Sequence, residues 1–498
     1  MLLRDLFASL PLIQKQGDKA CLDQKVAGLN ADSRKIETDF LFVGVPGSQV
    51  DGARFLEQVI EKGALAAIIS DASDIPAEGV PAEFPIFCCA DVHGALATLA
   101  GAFYPISYEK IAAVTGTNGK TSIASFLRQI WASAGKRAAN IGTIGVEGPN
   151  GASYGGLTTP DPVGLLQSVK RLEEEQGVTH LALEASSHGL EQKRLDGLKV
   201  DVGAYTNLTR DHLDYHKTFE AYRDAKLQLF TRLVRKDGTA VINLDDDHSS
   251  YFLDAAKARG LTCVTLGETT SADLRIKSIS FDGEKQIVLL TGVWGNVEAH
   301  IPLVGTFQAS NALVAGLMAY ASGLSVGEIL NALSQLKGAC GRMELVGRTG
   351  QGAPIYVDYS HTPDSLETAL KALRPFTKER LIVVIGAGGD RDPGKRPMMG
   401  KAANDYADFA IVTDDNPRSE DPALIRKAVM ETVETGCEVA GRYDAIAKGV
   451  SMLQAGDILL VAGKGHEQGQ TVKGEVLPFS DHEAVQQVLK EHNEGAAS

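Results

Sequence analysis

The sequence predicts an α/β protein of about three domains, on a prior of roughly 150 residues per domain for a chain of 498 residues. Two observations carry the fold class. Short apolar runs alternate with segments of helical periodicity, the pattern of parallel strands joined by crossover helices. One of these junctions, residues 110–122, reads as a strand, a glycine loop and a helix in immediate succession.

Taken in order, residues up to about 106 hold short α/β units, with strands expected at 40–45 and 64–70 around the turn at Pro46 and Gly47. The strand at 110–114 opens a second segment. Its loop carries Gly116, Thr117, Asn118, Gly119, Lys120, Thr121 and Ser122. Ile123, Phe126, Leu127, Ile130 and Trp131 then recur at helical spacing, and Gly135 supplies a stop. Further strands are expected at 181–183, 202–205 and 240–242. A third series begins near Gly341, with strands at 355–357, 381–385, 410–412 and 458–461. The glycine-rich residues 386–389 follow one of these strands and fit a substrate-facing turn better than a dinucleotide loop.

The loop at 116–122 specifies a phosphate site. A strand–loop–helix junction gathers backbone N–H groups and a positive helix end around anionic oxygens. Lys120 has the reach for terminal phosphates, and Thr121 offers a hydroxyl to Mg²⁺. Val114 stands where the usual spacing wants glycine, so this is a shortened relative of that loop. The net charge of −14 and the lack of a basic stripe exclude a nucleic-acid footprint, so acidic ligands must be met by local cations or a metal. Cys21, Cys88, Cys89, Cys263, Cys340 and Cys437 are scattered without a C-x-x-C pair, which fits a reducing cytoplasm. We expect no signal peptide and no membrane span.

Downstream, Glu184 falls at the end of a predicted strand, where ligands of open α/β sheets gather, and is a candidate Mg²⁺ ligand. The bland alternative is a solvated loop carboxylate. Residues 206–216 are dense in ligand-capable groups, with His212 and His216 spaced to share one face of a helix. Zinc would want a closed set of nitrogen and sulfur ligands, which this chain is not expected to offer; magnesium fits better. By periodicity alone Lys226 is an ordinary helical surface lysine.

These motifs together resemble the Mur ligase family. The resemblance rests on 116–121, on Glu184 to Gly189, on Asn207 to His216, on Asn311, on Gly341 to Glu344 and on Asp358 to Asp364, in that order along essentially the whole chain. It implies three domains: 1–106 for a UDP precursor, a central P-loop-type parallel-sheet ATPase domain at 107–341, and a Rossmann-like domain at 342–498 for the incoming amino acid. By resemblance Lys120 holds the ATP phosphates, while Thr121, Glu184 and His212 serve Mg²⁺. Asn311, Arg342, Asp358 and His361 contact the nucleotide. Lys226 matches the lysine that members carry as an N-carboxylated side chain, a second metal ligand once modified. Carbon dioxide adds only to a neutral amine, so such a site must lower the lysine pKa.

Asp415, Asn416, Pro417 and Arg418 resemble the selecting motif of the members that add meso-diaminopimelate, with Arg391, Gly463 and Glu467 completing the set. The planar fork of Arg418 suits a distal carboxylate, which lysine lacks. Ser33, Ser48, Gln49 and Val50 match uridine-side loops; Thr158, Thr159, Ser186, Gln192 and Arg194 match contacts to the muramoyl dipeptide. The implied activity is ATP-dependent ligation of meso-diaminopimelate to UDP-N-acetylmuramoyl-L-alanyl-D-glutamate through an acyl phosphate, in the cytoplasm and by a monomer. A ligase adding L-lysine, a folylpolyglutamate synthase and a non-catalytic nucleotide-binding module stay open as alternatives. Ser186, Ser187 and His188 are not expected to form a catalytic triad. Thr38 to Phe42 depart from the family's usual Gly-Asp-Leu-Phe, which bears on the uridine side.

Overall fold

In the computed structural model, which describes residues 1–47, 50–76, 78–154, 157–283 and 285–496, backbone packing divides the chain into two units. One comprises Met1–Lys120, Trp131–Gly267 and Leu317–Leu324; the other comprises Thr121–Ile130, Glu268–Gly316 and Ser325–Ser498.

The first unit begins with strands β1 (Ile13–Gln16), β2 (Gly28–Asn30), β3 (Phe40–Val43), β4 (Ala66–Ser70) and β5 (Ile86–Cys89). They lie in the order β1-β5-β4-β3-β2, parallel except for β1. A larger sheet follows from β6 (Lys110–Thr115), β7 (Ala138–Gly142), β8 (Gly145–Gly148), β9 (Gly151–Tyr154), β10 (His180–Glu184), β11 (Val200–Tyr205), β12 (Val234–Asn243) and β13 (Thr262–Gly267). Its order within this unit is β13-β12-β11-β6-β10-β7-β8-β9, parallel up to β7 and antiparallel for the last two. β7 and β10 are buried along their whole length, as parallel strands covered on both faces must be. The crossover helix Pro162–Gln176 has its ends written in sequence: Asp161 caps it, proline occupies its first turn, and Gly177 closes it at φ 59°. The first sheet's helix Val92–Phe103 shares a hydrophobic cluster with the larger sheet, through Leu96, Leu99 and Ala100 against a set that includes Val163, Leu166 and Leu198.

Register decides where the chemistry falls. β10 pairs with β6 so that Glu184 lies opposite Val114, and β11 pairs with β6 so that Tyr205 lies opposite Thr115. The segments leaving β6, β10 and β11 therefore emerge side by side at one sheet edge, the carboxyl end where α/β folds bind ligands.

The second unit holds an antiparallel meander of β14 (Leu274–Asp282), β15 (Lys285–Gly292) and β16 (Val297–Ile301). Its main sheet comprises β17 (Glu344–Arg348), β18 (Pro354–Asp358), β19 (Leu381–Ile385), β20 (Phe409–Val412), β21 (Gly436–Glu438) and β22 (Ile458–Ala462), and a separate hairpin pairs β23 (Gly469–Val472) with β24 (Glu475–Pro478). The main order is β17-β18-β22-β19-β20-β21, with β17 alone antiparallel. Apolar clusters fill both faces, one around Leu366, Leu370 and Met399, the other around Ile446, Val450 and Val485. The expected strands at 355–357, 381–385, 410–412 and 458–461 all form. The antiparallel additions at β8–β9 and β14–β16 were not expected. They are half-exposed strands whose polar alternation gives little apolar signal.

Candidate active site

β6 runs into the glycine loop, and the helix Lys120–Ser133 follows at once. Gly116 (φ 149°) and Gly119 (φ 89°) take conformations that L side chains avoid, and a Cβ on Gly116 would sit 1.9 Å from Thr206 Oγ1. The loop is held from β11's carboxyl end. Thr117 N donates to Asn207 O at 2.9 Å, Asn118 N to Asn207 Oδ1 at 2.9 Å, and Thr206 Oγ1 to Asn118 O at 2.7 Å. Lys120 curls over the loop, its Nζ donating to Gly116 O at 2.9 Å and Thr117 O at 2.8 Å. An arriving phosphate would exchange these carbonyls for its own oxygens. Thr121 and Ser122, in the helix's first turn, are buried.

Lys226 is 1% exposed, which corrects the surface reading. It lies in the helix Phe219–Gln228, and its Nζ donates to Gly116 O at 2.6 Å and stands 4.5 Å from the centre of the Tyr222 ring. Burial pushes its pKa well below the usual lysine range, the Lys120 charge adds to that, and Asp211 opposes it. Tyr222, not anticipated from sequence, also meets Thr117 Oγ1 through its hydroxyl at 3.1 Å.

Glu184 is 2% exposed, so the solvated alternative does not hold. Its carboxylate accepts from Thr143 N at 2.7 Å and Thr143 Oγ1 at 3.0 Å. Thr143 was missed because its signal, one hydroxyl just past β7, is not distinctive. Thr143 Oγ1 also lies 3.0 Å from Thr158 Oγ1, from whose hydroxyl it can accept. Thr159 Oγ1 donates to Glu184 O at 2.9 Å and meets Ser186 Oγ at 2.9 Å. Arg194 reaches Thr159 O at 2.6 Å and Gln192 Oε1 at 2.7 Å, and burial lowers its pKa. Thr158, Thr159, Ser186, Gln192 and Arg194 thus share one network with Glu184. Among the described residues Ser187 Oγ is buried with no hydrogen-bond partner, and Ser186 caps the helix Ser187–Glu191, so neither is poised as a triad nucleophile.

His212 and His216 do not share a long helix face. The helix is only Leu213–His216, and His212 sits before it in the left-handed region at φ 52°. His212 packs against His188 with ring centres 5.0 Å apart, and His188 meets the rings of Tyr215 and His216 at 4.0 and 5.3 Å. Burial lowers the pKa of His188 and of His216. Elsewhere in this unit, Ser33 is buried and donates to Gln58 Oε1 at 2.8 Å, while Val50 is exposed. Ser48 and Gln49 lie outside the described residues.

In the second unit, Asp358 ends β18. Its carboxylate accepts from Met343 N at 2.7 Å and Ser360 N at 2.9 Å, and burial raises its pKa. Arg342 lies over the Tyr359 ring at 4.6 Å, and among the described residues its Nε is buried without a partner. Asn311 Nδ2 donates to Gln308 Oε1 at 3.1 Å, and Gln308 Nε2 to Arg342 O at 3.1 Å. His361 holds Tyr359 O through Nδ1 at 2.8 Å.

The carboxyl ends of β18, β19, β20 and β22 surround a cleft of about 430 Å³. Arg391, Asp415, Asn416, Arg418, Gly463 and Glu467 all line it, as do His361 and the turn residues Gly386 to Gly388. Pro417 is buried and absent from the lining. Asn416 (φ 44°) and Arg418 (φ 52°) are both in the left-handed region. The turn is braced from β23, where Thr471 N donates to Asn416 Oδ1 at 2.8 Å and Arg418 N to Thr471 O at 3.0 Å. Arg418 Nη1 donates to Gly389 O at 2.8 Å, and Asn416 Nδ2 to Glu467 Oε2 at 2.8 Å. Lys464, fully buried and not anticipated, holds Glu467 at 3.1 Å and Asp415 at 3.6 Å. The cleft therefore carries arginines and a braced carboxylate together, a set suited to a zwitterionic ligand with two separated charged ends.

Residues 25–104 match the Mur ligase family catalytic domain, 114–319 the Mur ligase middle domain, and 341–465 the Mur ligase glutamate ligase domain. The chain belongs to the Mur ligase family. It is accordingly an ATP-dependent ligase with three-domain α/β architecture. Among its relatives is the UDP-N-acetylmuramoyl-L-alanyl-D-glutamate–2,6-diaminopimelate ligase of Bradyrhizobium diazoefficiens, 46% identical over 98% of this chain and 99% of that one. The enzyme of the same name from Agrobacterium fabrum is 48% identical over 94% of each chain. A solved structure of a ligase with this name superposes with a TM-score of 0.73, at 32% identity and 99% coverage of both chains.

Proposed function

We infer that this Mur ligase joins meso-diaminopimelate to UDP-N-acetylmuramoyl-L-alanyl-D-glutamate, with ATP hydrolysed to ADP and phosphate, in the making of a peptidoglycan precursor. The observation that carries the reading is the second unit's cleft, where Arg391, Arg418 and Glu467 stand around a volume of about 430 Å³. The names of the relatives support the same substrates. We assign 1–106 to the UDP precursor, 107–341 to ATP and 342–498 to the amino acid, and place the reaction in the cytoplasm, carried out by a monomer.

A carboxylate is a poor electrophile, so the D-glutamyl carboxylate must first take the γ-phosphoryl group of ATP. Phosphoryl transfer asks the protein for alignment and charge neutralisation more than covalent chemistry. Lys120 supplies the cation, and the backbone N–H groups of the glycine loop supply directed donors. Thr121, Glu184 and His212, with a carboxylated Lys226, offer mostly hard oxygen donors, a set that fits Mg²⁺. When bound, that ion would neutralise charge on the phosphates. Arg342, held over Tyr359, and Asp358, held by the Met343 and Ser360 amides, would meet nucleotide. Thr158, Thr159, Ser186, Gln192 and Arg194 would orient the dipeptide end. Arg418 and Glu467 would fix the distal carboxylate and ammonium of diaminopimelate. Its other amine then attacks the acyl phosphate, phosphate leaves, and an amide remains. Water must stay out until then.

The test is ADP formation with ATP, Mg²⁺, the UDP-dipeptide and meso-diaminopimelate, with product identified by mass. The reading expects ADP and tripeptide in equal amounts and neither from Lys120→Ala. ADP formation independent of the dipeptide, or none at all, would overturn it.

A further inference from the structure

Outside the site just described, one cluster combines a thiol, an imidazole and a carboxylate. Cys340 precedes β17, Glu344 opens it, and His482 lies in the first turn of the helix Asp481–Ala496. Their ligand atoms all fall within 4.8 Å of one another. His482 Nε2 is 2.6 Å from Glu344 Oε2 and 3.8 Å from Cys340 Sγ. Glu344 Oε2 also accepts from Gly341 N at 2.8 Å, which aims the carboxylate at the ring. All three residues are half-buried, so an ion has a route in.

Bond lengths to tetrahedral zinc place its sulfur and nitrogen ligands about 3.6 Å apart, and its nitrogen and oxygen ligands about 3.3 Å apart. The two distances here differ from those by no more than about 0.7 Å, a side-chain adjustment. The donor set is wrong for magnesium, which prefers oxygen, and right for a borderline-soft ion. We propose that Cys340, Glu344 and His482 form a three-ligand site for zinc or a zinc-like divalent cation, separate from the magnesium of phosphoryl transfer. Three protein ligands leave the fourth position to water. Binding releases the thiol proton and the imidazole proton to solvent. The latter is held in the metal-free state, because Cys340 and Glu344 outweigh the effect of burial and raise the His482 pKa to about 10. Sequence spacing hides the site, since His482 lies far along the chain from Cys340 and Glu344.

The full chain, stripped with a chelator and kept in excess Mg²⁺, is titrated with Co²⁺ and then Zn²⁺. The site predicts one Co²⁺ per chain, tetrahedral visible bands, a thiolate-to-cobalt charge-transfer band, and loss of both on adding Zn²⁺. Cys340→Ser keeps the residue's size and should abolish the charge-transfer band. His482→Gln should weaken binding at least ~10-fold. Both variants should keep ligase activity in Mg²⁺ after chelation. A wild-type chain without the band, or a band that survives Cys340→Ser, overturns the proposal. So does equal affinity in wild type and Cys340→Ser, which would place the ion on other residues such as the His188 cluster.

Discussion

Lys226 is where single-residue physics bears hardest on the chemistry. An ammonium at 1% exposure, facing one carbonyl and one aromatic ring, is costly to keep charged, and Lys120 adds repulsion. The lowered pKa leaves a neutral amine at pH values where exposed lysines stay protonated, the condition for adding carbon dioxide. With ¹³C-labelled bicarbonate, a carbamate resonance should appear in the wild type and vanish in Lys226→Arg. It should also weaken as pH falls through the lowered pKa, because the amine then regains its proton. Turnover in Lys226→Arg should fall ~100-fold, the loss expected when a charged hydrogen-bonding group is removed. His466 offers an independent test. Burial lowers its pKa to about 4, with the Arg342 charge adding to it. The unfolded chain therefore binds the proton first as pH falls, and the folded state loses stability between roughly pH 6.5 and 4. Denaturant unfolding of His466→Gln should show a flatter profile across that window, the difference from wild type reaching ~3 kcal/mol at the acid end. None of this was legible from sequence. Lys226 sits in a polar helix and reads as a surface residue, because burial comes from a distant loop folding over it.

At the scale of elements, the parallel register gathers the site. Motifs separated by tens of residues share one sheet edge because β6 lies between β10 and β11, and because β18, β22, β19 and β20 are neighbours. This much was legible: apolar runs, glycine punctuation and acids at strand ends mark those edges. The bracing was not. Thr143 under Glu184 and Thr471 under Asn416 are single polar residues whose partners are set by tertiary contact. Asn416→Ala removes the side-chain bonds to Glu467, Asp415 and Thr471 and keeps the Arg418 side chain and its backbone bond to Thr471 O. Steady-state kinetics should show KM for the amino-acid substrate raised ~10-fold with kcat nearly unchanged, as expected when hydrogen bonds to carboxylates and to a backbone amide are lost. In the phosphate loop, Gly116→Ala meets both a φ of 149° and the Thr206 hydroxyl. Nucleotide binding by calorimetry should be lost while the far-UV spectrum stays that of the folded chain.

Across the whole molecule, composition was informative mainly by exclusion. A chain of net charge −14 has to meet acidic substrates with local cations. The structure groups Arg391, Lys395, Arg396 and Arg418 around one cleft. The first α/β segment and the central sheet share one hydrophobic cluster, a grouping that helix periodicity could not show because it records which face is apolar and not what covers it. We propose that selection at the cleft rests on Arg418, whose guanidinium would attract a distal carboxylate and repel a distal ammonium. The most direct test offers equal concentrations of meso-diaminopimelate and L-lysine to the wild type and to Arg418→Leu, with ATP, Mg²⁺ and the UDP-dipeptide, and counts the products by mass. We expect the wild type to yield the diaminopimelate product almost alone and Arg418→Leu to lose ~10–100-fold of that preference. A wild type that takes lysine equally well, or a variant with undiminished preference, would contradict the account.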